Sequence, residues 1–458
     1  MEKIFTLLML FILSGTIVRA QDSLMFSKKQ VADDIAFFMK SAADIHPNLY
    51  HDISAEQLVV KVDSLIKVLP DSLSVLRAYR AFAEVTAFIN EGHTGINMPK
   101  QMRQQLKAGT FKTVPLQVTG YDGKYFIANL LAPGNSLKGI KILAVNGEAA
   151  EHIFKRITAL KGGLQSFRKV SAVNSFRLYL PIIGITQPYL INYIGENNVK
   201  GMVSVNAISE SEYNTSIAKP NNTQPYTFTV KDDLYGYLNF KSMVSYNGFK
   251  RFCDSVFEVL DHKHIDKLVV DLRENGGGNS QLGWYLLNYI TDKPFRMAGE
   301  SERKVSQQFR TYIEANRDIY ASQYTDFLKL PNGAFFKIGS TELDKPMDLK
   351  YKFKGKACFL IGPYTFSSAN MLSAAIKDFK LATLIGEPTG EPGNDYGELC
   401  NINLPQTGLS GFTSTTMWVR PNNNKLDTQP ILPDYAVSNT APGNTDAVLL
   451  TAVKWLKN

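Results

Sequence analysis

From residue 246 to 387 the chain alternates amphipathic segments of helical period with short, almost wholly apolar runs. GFKRFCDSVFEVL is followed by DKLVVDL, QLGWYLLNYI by KACFLIGP, and SSANMLSAAIKDF by ATLIGE. Apolar runs of this length, bounded by turn residues and separated by helices, read as strands buried on both faces of a largely parallel sheet. This pattern constrains the fold more than any other feature, because such a sheet needs helices on both sides.

Upstream of that region the periodicity changes twice. Residues 28–108 read as helices, with Val31, Ile35, Phe38 and Met39 on one face of the first. Asp71 or Ser72 is expected to cap the third helix, and Gly92 to end it. Residues 112–165 change character: VPLQVTGYDGKYFIANL alternates in strand fashion around the Asp122-Gly123 turn, and KGIKILAVNGEAAEHIFKRI gives a strand, an Asn146-Gly147 turn and a short helix. Strand-like runs continue from about 180 to 245, with NNTQP as a loop, and residues 296–350 read as an insertion or lid. The expected organisation is a signal peptide at 1–20, a helical domain at 21–110, a small β module at 111–170 and an α/β domain at 171–458.

The first twenty residues, MEKIFTLLMLFILSGTIVRA, carry one lysine and then an apolar run too short to span a bilayer, with small residues before Gln21. They read as a cleaved secretory signal, which implies a periplasmic or extracellular protein with no stable membrane insertion after cleavage. Hydrophobic residues make up 44% and charged residues 20%, which excludes a mainly disordered chain. The net charge of +8 is dispersed, with no basic run interleaved with aromatics, so a nucleic-acid partner is not expected. Cys253, Cys358 and Cys400 sit in apolar contexts and read as core residues. The histidines show no metal-ligand spacing, and neither a metal nor a cofactor is expected.

Four short stretches hold residue types that do chemistry. In YTFSSANML, Ser367 stands where a strand turns into a helix; a hydroxyl there is either a nucleophile facing free helix N–H groups or merely a cap. In DLRENGGGNS, the triplet Gly276 to Gly278 ends a buried strand and can turn amides into a cleft, or it is an ordinary loop. In EGHTG, His93 follows a helix end, as a base or as a solvated turn residue. In NNNKLDTQPILPDY, Asp427 or Asp434 can orient an imidazole or cap a turn.

Taken in order and spacing, DLRENGGG, PYTFSSAN, ATLIGEPTG and ILPDYAV resemble the C-terminal processing, or tail-specific, serine peptidases over residues 232–440, and EGHTG extends the likeness upstream. The resemblance implies a multidomain α/β fold: a helical N-terminal region, a short PDZ-like module around Pro115 to Glu148, and a catalytic domain with a mainly parallel, ClpP/crotonase-like sheet. In one branch of that family a lysine after GEPT serves as base, and the aligned position here is Pro392. The other branch resembles the tricorn protease core and uses a histidine, the serine and a late acid. Carried over, Ser367 is the nucleophile, His93 the general base with Thr94 as a candidate support, and Asp427 the orienting acid. Gly277 and Ser368 supply the oxyanion-hole N–H groups. The family's usual Glu three residues after the nucleophile is Asn370 here.

These assignments imply a secreted serine peptidase acting on peptide or protein substrates, of unassigned oligomeric state, with a rate that falls below about pH 6–6.5. With base and nucleophile on different domains, domain movement is expected to switch the site. Two alternatives stand beside this reading. The fold also resembles the repeats of interphotoreceptor retinoid-binding protein, which implies a non-catalytic binder of apolar ligands, and the same residues suit an esterase.

Overall fold

The computed structural model describes residues 24–121, 123–131, 137–195, 198–216, 224–317, 324–339, 341–439 and 445–458. The expected signal segment and Asp122 lie outside the described residues. Three helices open the structure: α1 (Lys28–Ile45), α2 (Ala55–Val68) and α3 (Val75–Phe88). Ser27 and Ser54 cap the first two through reciprocal bonds with Gln30 and Gln57, which satisfies amides that a helix start leaves open. Ser74, rather than Asp71 or Ser72, caps α3, because Ser72–Ser74 pairs as a short strand with Met25–Ser27. Helix α3 stops at Phe88, and Asn90 (φ 62°) takes the left-handed position expected of Gly92.

An antiparallel sheet follows, made of β1 (Leu116–Tyr121), β2 (Lys124–Leu130), β3 (Lys141–Val145), β4 (Tyr189–Ile194) and β5 (Lys200–Val205), in the order β5-β4-β3-β2-β1. It therefore runs well past residue 170. Its buried residues, among them Leu116, Ile127 and Ile142, pack in one cluster with Val31, Phe38 and Phe82 of the helices. The helical region and the β module share a core.

The second sheet has the order β6 (Tyr226–Lys231), β7 (Tyr235–Phe240), β8 (Lys267–Asp271), β9 (Lys356–Ile361), β10 (Thr383–Gly386) and β11 (Tyr435–Ala436). All neighbours are parallel except β6 with β7. Alternate residues serve opposite faces. Leu268, Val270 and Phe359 pack under α4 (Tyr246–His262), α5 (Gln281–Ile290) and α6 (Ser368–Phe379). Val269, Cys358 and Leu360 pack under α7 (Ala447–Lys457). Cys253, Cys358 and Cys400 are buried free thiols.

A long hairpin, Asp395–Asn403 with Ser410–Trp418, leaves this domain and ties the molecule together. Ser301–Lys304, from the 296–350 insertion, pairs with one side of it. Gly95–Ile96, two residues beyond His93, pairs with Gly411 and Phe412. The buried carboxylate of Asp34 on α1 accepts from Gln406 N, Thr407 N and Thr407 Oγ1 at the hairpin tip, at 3.0, 2.7 and 2.7 Å. The loop that carries His93 is thus fixed to the α/β domain by backbone pairing, which argues against the domain movement the sequence suggested.

Candidate active site

The short turn after α3 carries Glu91, Gly92, His93 and Thr94 to the mouth of the parallel sheet. Gly92 is required by closeness: a Cβ there would stand 2.5 Å from the Phe366 ring. The His93 ring instead stacks on Phe366, with centroids 4.8 Å apart, and Phe366 stacks on Phe167. These two stacked contacts in sequence set the plane of the imidazole.

Ser367 sits between β9 and α6 with φ 54° and ψ −127°. A serine in this region is strained by roughly 1–3 kcal/mol and persists only where its surroundings enforce it. Here they do. Its N–H donates to Glu391 Oε2 at 2.6 Å, Phe366 N donates to Asn275 O at 3.0 Å, and Thr365 Oγ1 donates to Leu272 O at 2.9 Å. The sharp turn presents Oγ to His93, and Nε2 lies 3.1 Å away.

On the other side of the ring, His93 Nδ1 lies 2.9 Å from Glu391 Oε1. Glu391 stands five residues past the end of β10 and is buried. It therefore holds both partners: one oxygen faces the imidazole, the other takes the serine amide. Glu91, also buried, accepts the His93 backbone N–H at 2.5 Å and lies 3.7 Å from Nδ1. Behind it stands His46, whose Nδ1 accepts from Asn48 N–H at 3.0 Å and whose Nε2 lies 3.7 Å from Glu91 Oε2. His46, at the turn that ends α1, is a buried neighbour of the site. Burial alone would push the His93 pKa down. The carboxylate of Glu391, with Glu91 and Asp395 behind, overrides this and raises it to about 9.

Two residues assigned from the sequence stand elsewhere. Asp427 makes no contact with His93: one oxygen pairs with Arg420, which also binds Asp378, and the other accepts from Gln429 N at 2.9 Å. The nearby guanidinium captures this carboxylate. Asp434 is likewise committed, to Leu384 N and Lys377. The Gly277 N–H is occupied as well, donating to Asn275 Oδ1 at 2.9 Å, while Asn275 Nδ2 donates to Phe240 O at 2.8 Å. Gly277 matters through its shape instead. At φ 97°, a Cβ would stand 2.7 Å from Ser367 Cβ and 2.9 Å from Ser368 N.

Ser368 opens α6, so its N–H has no intrahelical acceptor, and among the described residues it makes no other bond. Its hydroxyl donates to Gly278 O at 2.5 Å, which clamps the glycine loop to the helix start. Thr94 bonds Thr413 at 2.8 Å and steadies the turn from the hairpin side.

Glu391, Asp395, Glu91 and Asn275 were not singled out in the sequence. Glu391 had a usable signal, since it immediately precedes Pro392, where a lysine was sought and found missing. A cavity of about 410 Å³ borders the site, lined by Phe366, Glu391, Asp395 and Asp427 from one side and by Asn48 and Glu91 from the other.

Residues 234–437 match the model of peptidase family S41. That stretch contains Ser367, Gly277 and Glu391. That stretch of the chain is a peptidase family S41 region. The chain is an enzyme of the serine-peptidase class. Solved structures match the fold across nearly the whole chain. A serine-to-alanine mutant of CPAF aligns with a TM-score of 0.67 at 12% identity, covering 94% of this chain and 96% of that one. Mature CPAF complexed with lactacystin aligns at 0.63 and 13%, covering 94% and 97%. No curated protein sequence matches the chain.

Proposed function

We propose that this protein is a secreted peptidase that hydrolyses peptide bonds through an acyl-enzyme on Ser367, with His93 as general base and Glu391 as the acid that orients it. The observation that carries this reading is the unbroken line Ser367 Oγ, His93 Nε2, His93 Nδ1 and Glu391 Oε1, with gaps of 3.1 and 2.9 Å. This is the geometry of nucleophile, base and orienting group.

Nε2 takes the hydroxyl proton as Oγ bonds to the scissile carbonyl carbon. The carbonyl electron pair moves onto oxygen, where the open Ser368 N–H faces it. Such a donor contributes roughly 3 kcal/mol to the transition state. When the C–N bond breaks, His93 passes its proton to the departing amine. Water then adds to the ester by the same exchange, releasing the acid and restoring the serine. The Ser367 N–H takes no part in holding the oxyanion, because Glu391 already binds it.

Proton removal requires a neutral imidazole. With the His93 pKa near 9, that form is the minor one at neutral pH in the free enzyme. The expected rate therefore rises through about pH 9, and not through 6–6.5 as an unperturbed imidazole implies. An alkaline rise does not call for a lysine base.

Secretion rests on the apolar leader of residues 1–20 and its small residues before Gln21. No helix among the described residues is long and apolar enough to cross a membrane. The contact between His93 and Ser367 weighs against the purely binding alternative. The test is labelling by a fluorophosphonate. The parent protein is expected to react and Ser367→Ala to be inert, and labelling of that variant at the parent rate would exclude this serine. Lactacystin, bound in the CPAF complex, is a second probe.

A further inference from the structure

A second cavity, of about 560 Å³, meets the cavity of the site at Asp52 and Asn90. It lies among α2, α3 and the helices Ala150–Thr158 and Gln165–Asn174, all upstream of the segment matched to S41. Four cations line it, Lys61, Arg80, Arg156 and Arg168, against two acids, Asp52 and Glu84. No reacting group of the catalytic line reaches its walls.

The partners divide these cations into two kinds. Arg80 Nε pairs with Glu84 at 3.1 Å, and Arg156 Nη1 pairs with Glu148 at 2.6 Å. Arg168, half-buried, has no carboxylate partner among the described residues. Its Nε and Nη2 donate to Thr158 O and its Nη1 to Asn90 Oδ1, all at 3.3 Å. These are long bonds to neutral oxygens, and they leave N–H donors of the fork unused. Lys61 likewise makes no hydrogen bond or ion pair among the described residues. Burial holds the Arg168 guanidinium below its usual pKa, in keeping with the missing counter-charge.

Taking a cation out of water is unfavourable unless an anion faces it. The cavity also has an apolar wall, formed by Ile53, Phe88 and Leu160, and its volume is of the order that holds small organic ligands. We propose that this cavity binds a small organic anion, with a phosphate or carboxylate head on the Arg168 fork and an apolar body against Ile53, Phe88 and Leu160. Lys61 supplies the second uncommitted charge. Arg168 also reaches Asn90, whose left-handed backbone (φ 62°) opens the turn to Glu91 and His93, so the ligand sits beside that turn. Binding here is independent of the peptidase reading.

The experiment is isothermal titration of the full chain, at fixed ionic strength, with phenyl phosphate, phenylacetate, inorganic phosphate and phenol. At least one of the first two is expected to bind with a Kd below about 1 mM, and the tighter of them identifies the head group. Inorganic phosphate is expected to bind at least about tenfold more weakly, because it leaves the apolar wall bare, and phenol not measurably. Arg168→Gln is expected to weaken the tighter ligand about 10- to 100-fold, as loss of a charged hydrogen-bond donor does. Lys61→Gln breaks no bond in the structure, so it tests the same charge dependence in a chain that keeps its fold, and a weaker Kd is expected there too. Parent affinity in both variants overturns the proposal. So does inorganic phosphate binding as tightly as phenyl phosphate, or the absence of binding by both phenyl ligands at about 10 mM. None of these readouts uses Ser367, so a chain that binds but never reacts with a fluorophosphonate loses the peptidase reading and keeps this site.

Discussion

Glu391 accepts the Ser367 backbone N–H at 2.6 Å with one carboxylate oxygen and meets His93 with the other. One side chain thus fixes both the strained turn that carries the nucleophile and the ring that deprotonates it. The usual division between a residue that shapes the elbow and one that orients the base is absent.

Glu391→Gln tests this directly. The amide cannot hold the imidazolium that forms in the transition state, and kcat is expected to fall roughly 10⁴-fold, as for loss of the orienting acid in other triads. Asp427→Asn is expected to keep turnover near the parent value, since Asp427 is bound to Arg420. Steady-state kinetics on one peptide substrate separate the two, and the reverse ranking would restore Asp427 as the orienting acid.

The pH dependence has a definite sign. His93 is raised from 6.5 to about 9, so the active, neutral form grows as pH climbs through 9. Removing one negative neighbour by Glu91→Gln is expected to move the midpoint of kcat/KM toward neutrality. The same shift makes the imidazolium a stabilising group that is fully in place below pH 6.5 and lost as pH rises through about 9. Thermal melts across that window are expected to decline more in the parent than in His93→Gln.

Gly277→Ala is expected to fold and to lose at least about 100-fold in kcat, because a methyl group forced against Ser367 Cβ displaces the nucleophile from its oxyanion donor. The readout is a drop in fluorophosphonate labelling with an unchanged far-ultraviolet circular dichroism spectrum.

Asp34→Ala leaves the hairpin-tip amides of Gln406 and Thr407 without their acceptor. A loss of roughly 2–4 kcal/mol in stability is expected from those unpaired groups. Urea unfolding measures it, and a change under 1 kcal/mol would mean that the tip rearranges freely.

The strands of the parallel sheet and the three opening helices were legible because each carries its own period: apolar runs with both faces buried, and Val31, Ile35 and Phe38 at helical spacing. Ser367 and His93 were legible as partners only through the order of several motifs together. The acid was not. Asp427 and Glu391 are both carboxylates in turn-rich loops, and only the position of Arg420 decides which is free for His93. The Gly277 amide was misassigned for a similar reason, since the side chain that occupies it, Asn275, lies two residues away and reveals nothing until the loop closes. Residues 189–205 read as strands, but their pairing with the earlier module is a long-range choice that local pattern does not encode.

The segment matched to S41 starts at residue 234, far downstream of His93, yet the backbone of Gly95–Ile96 is woven into the hairpin at Gly411–Phe412. A fragment trimmed to the family match would keep the hydroxyl and its carboxylate and lose the group that activates them. Its sheet would also gain a raw edge where the missing piece belongs. Supplying the amino-terminal piece separately would then amount to complementation in trans, with the imidazole delivered by a docking strand.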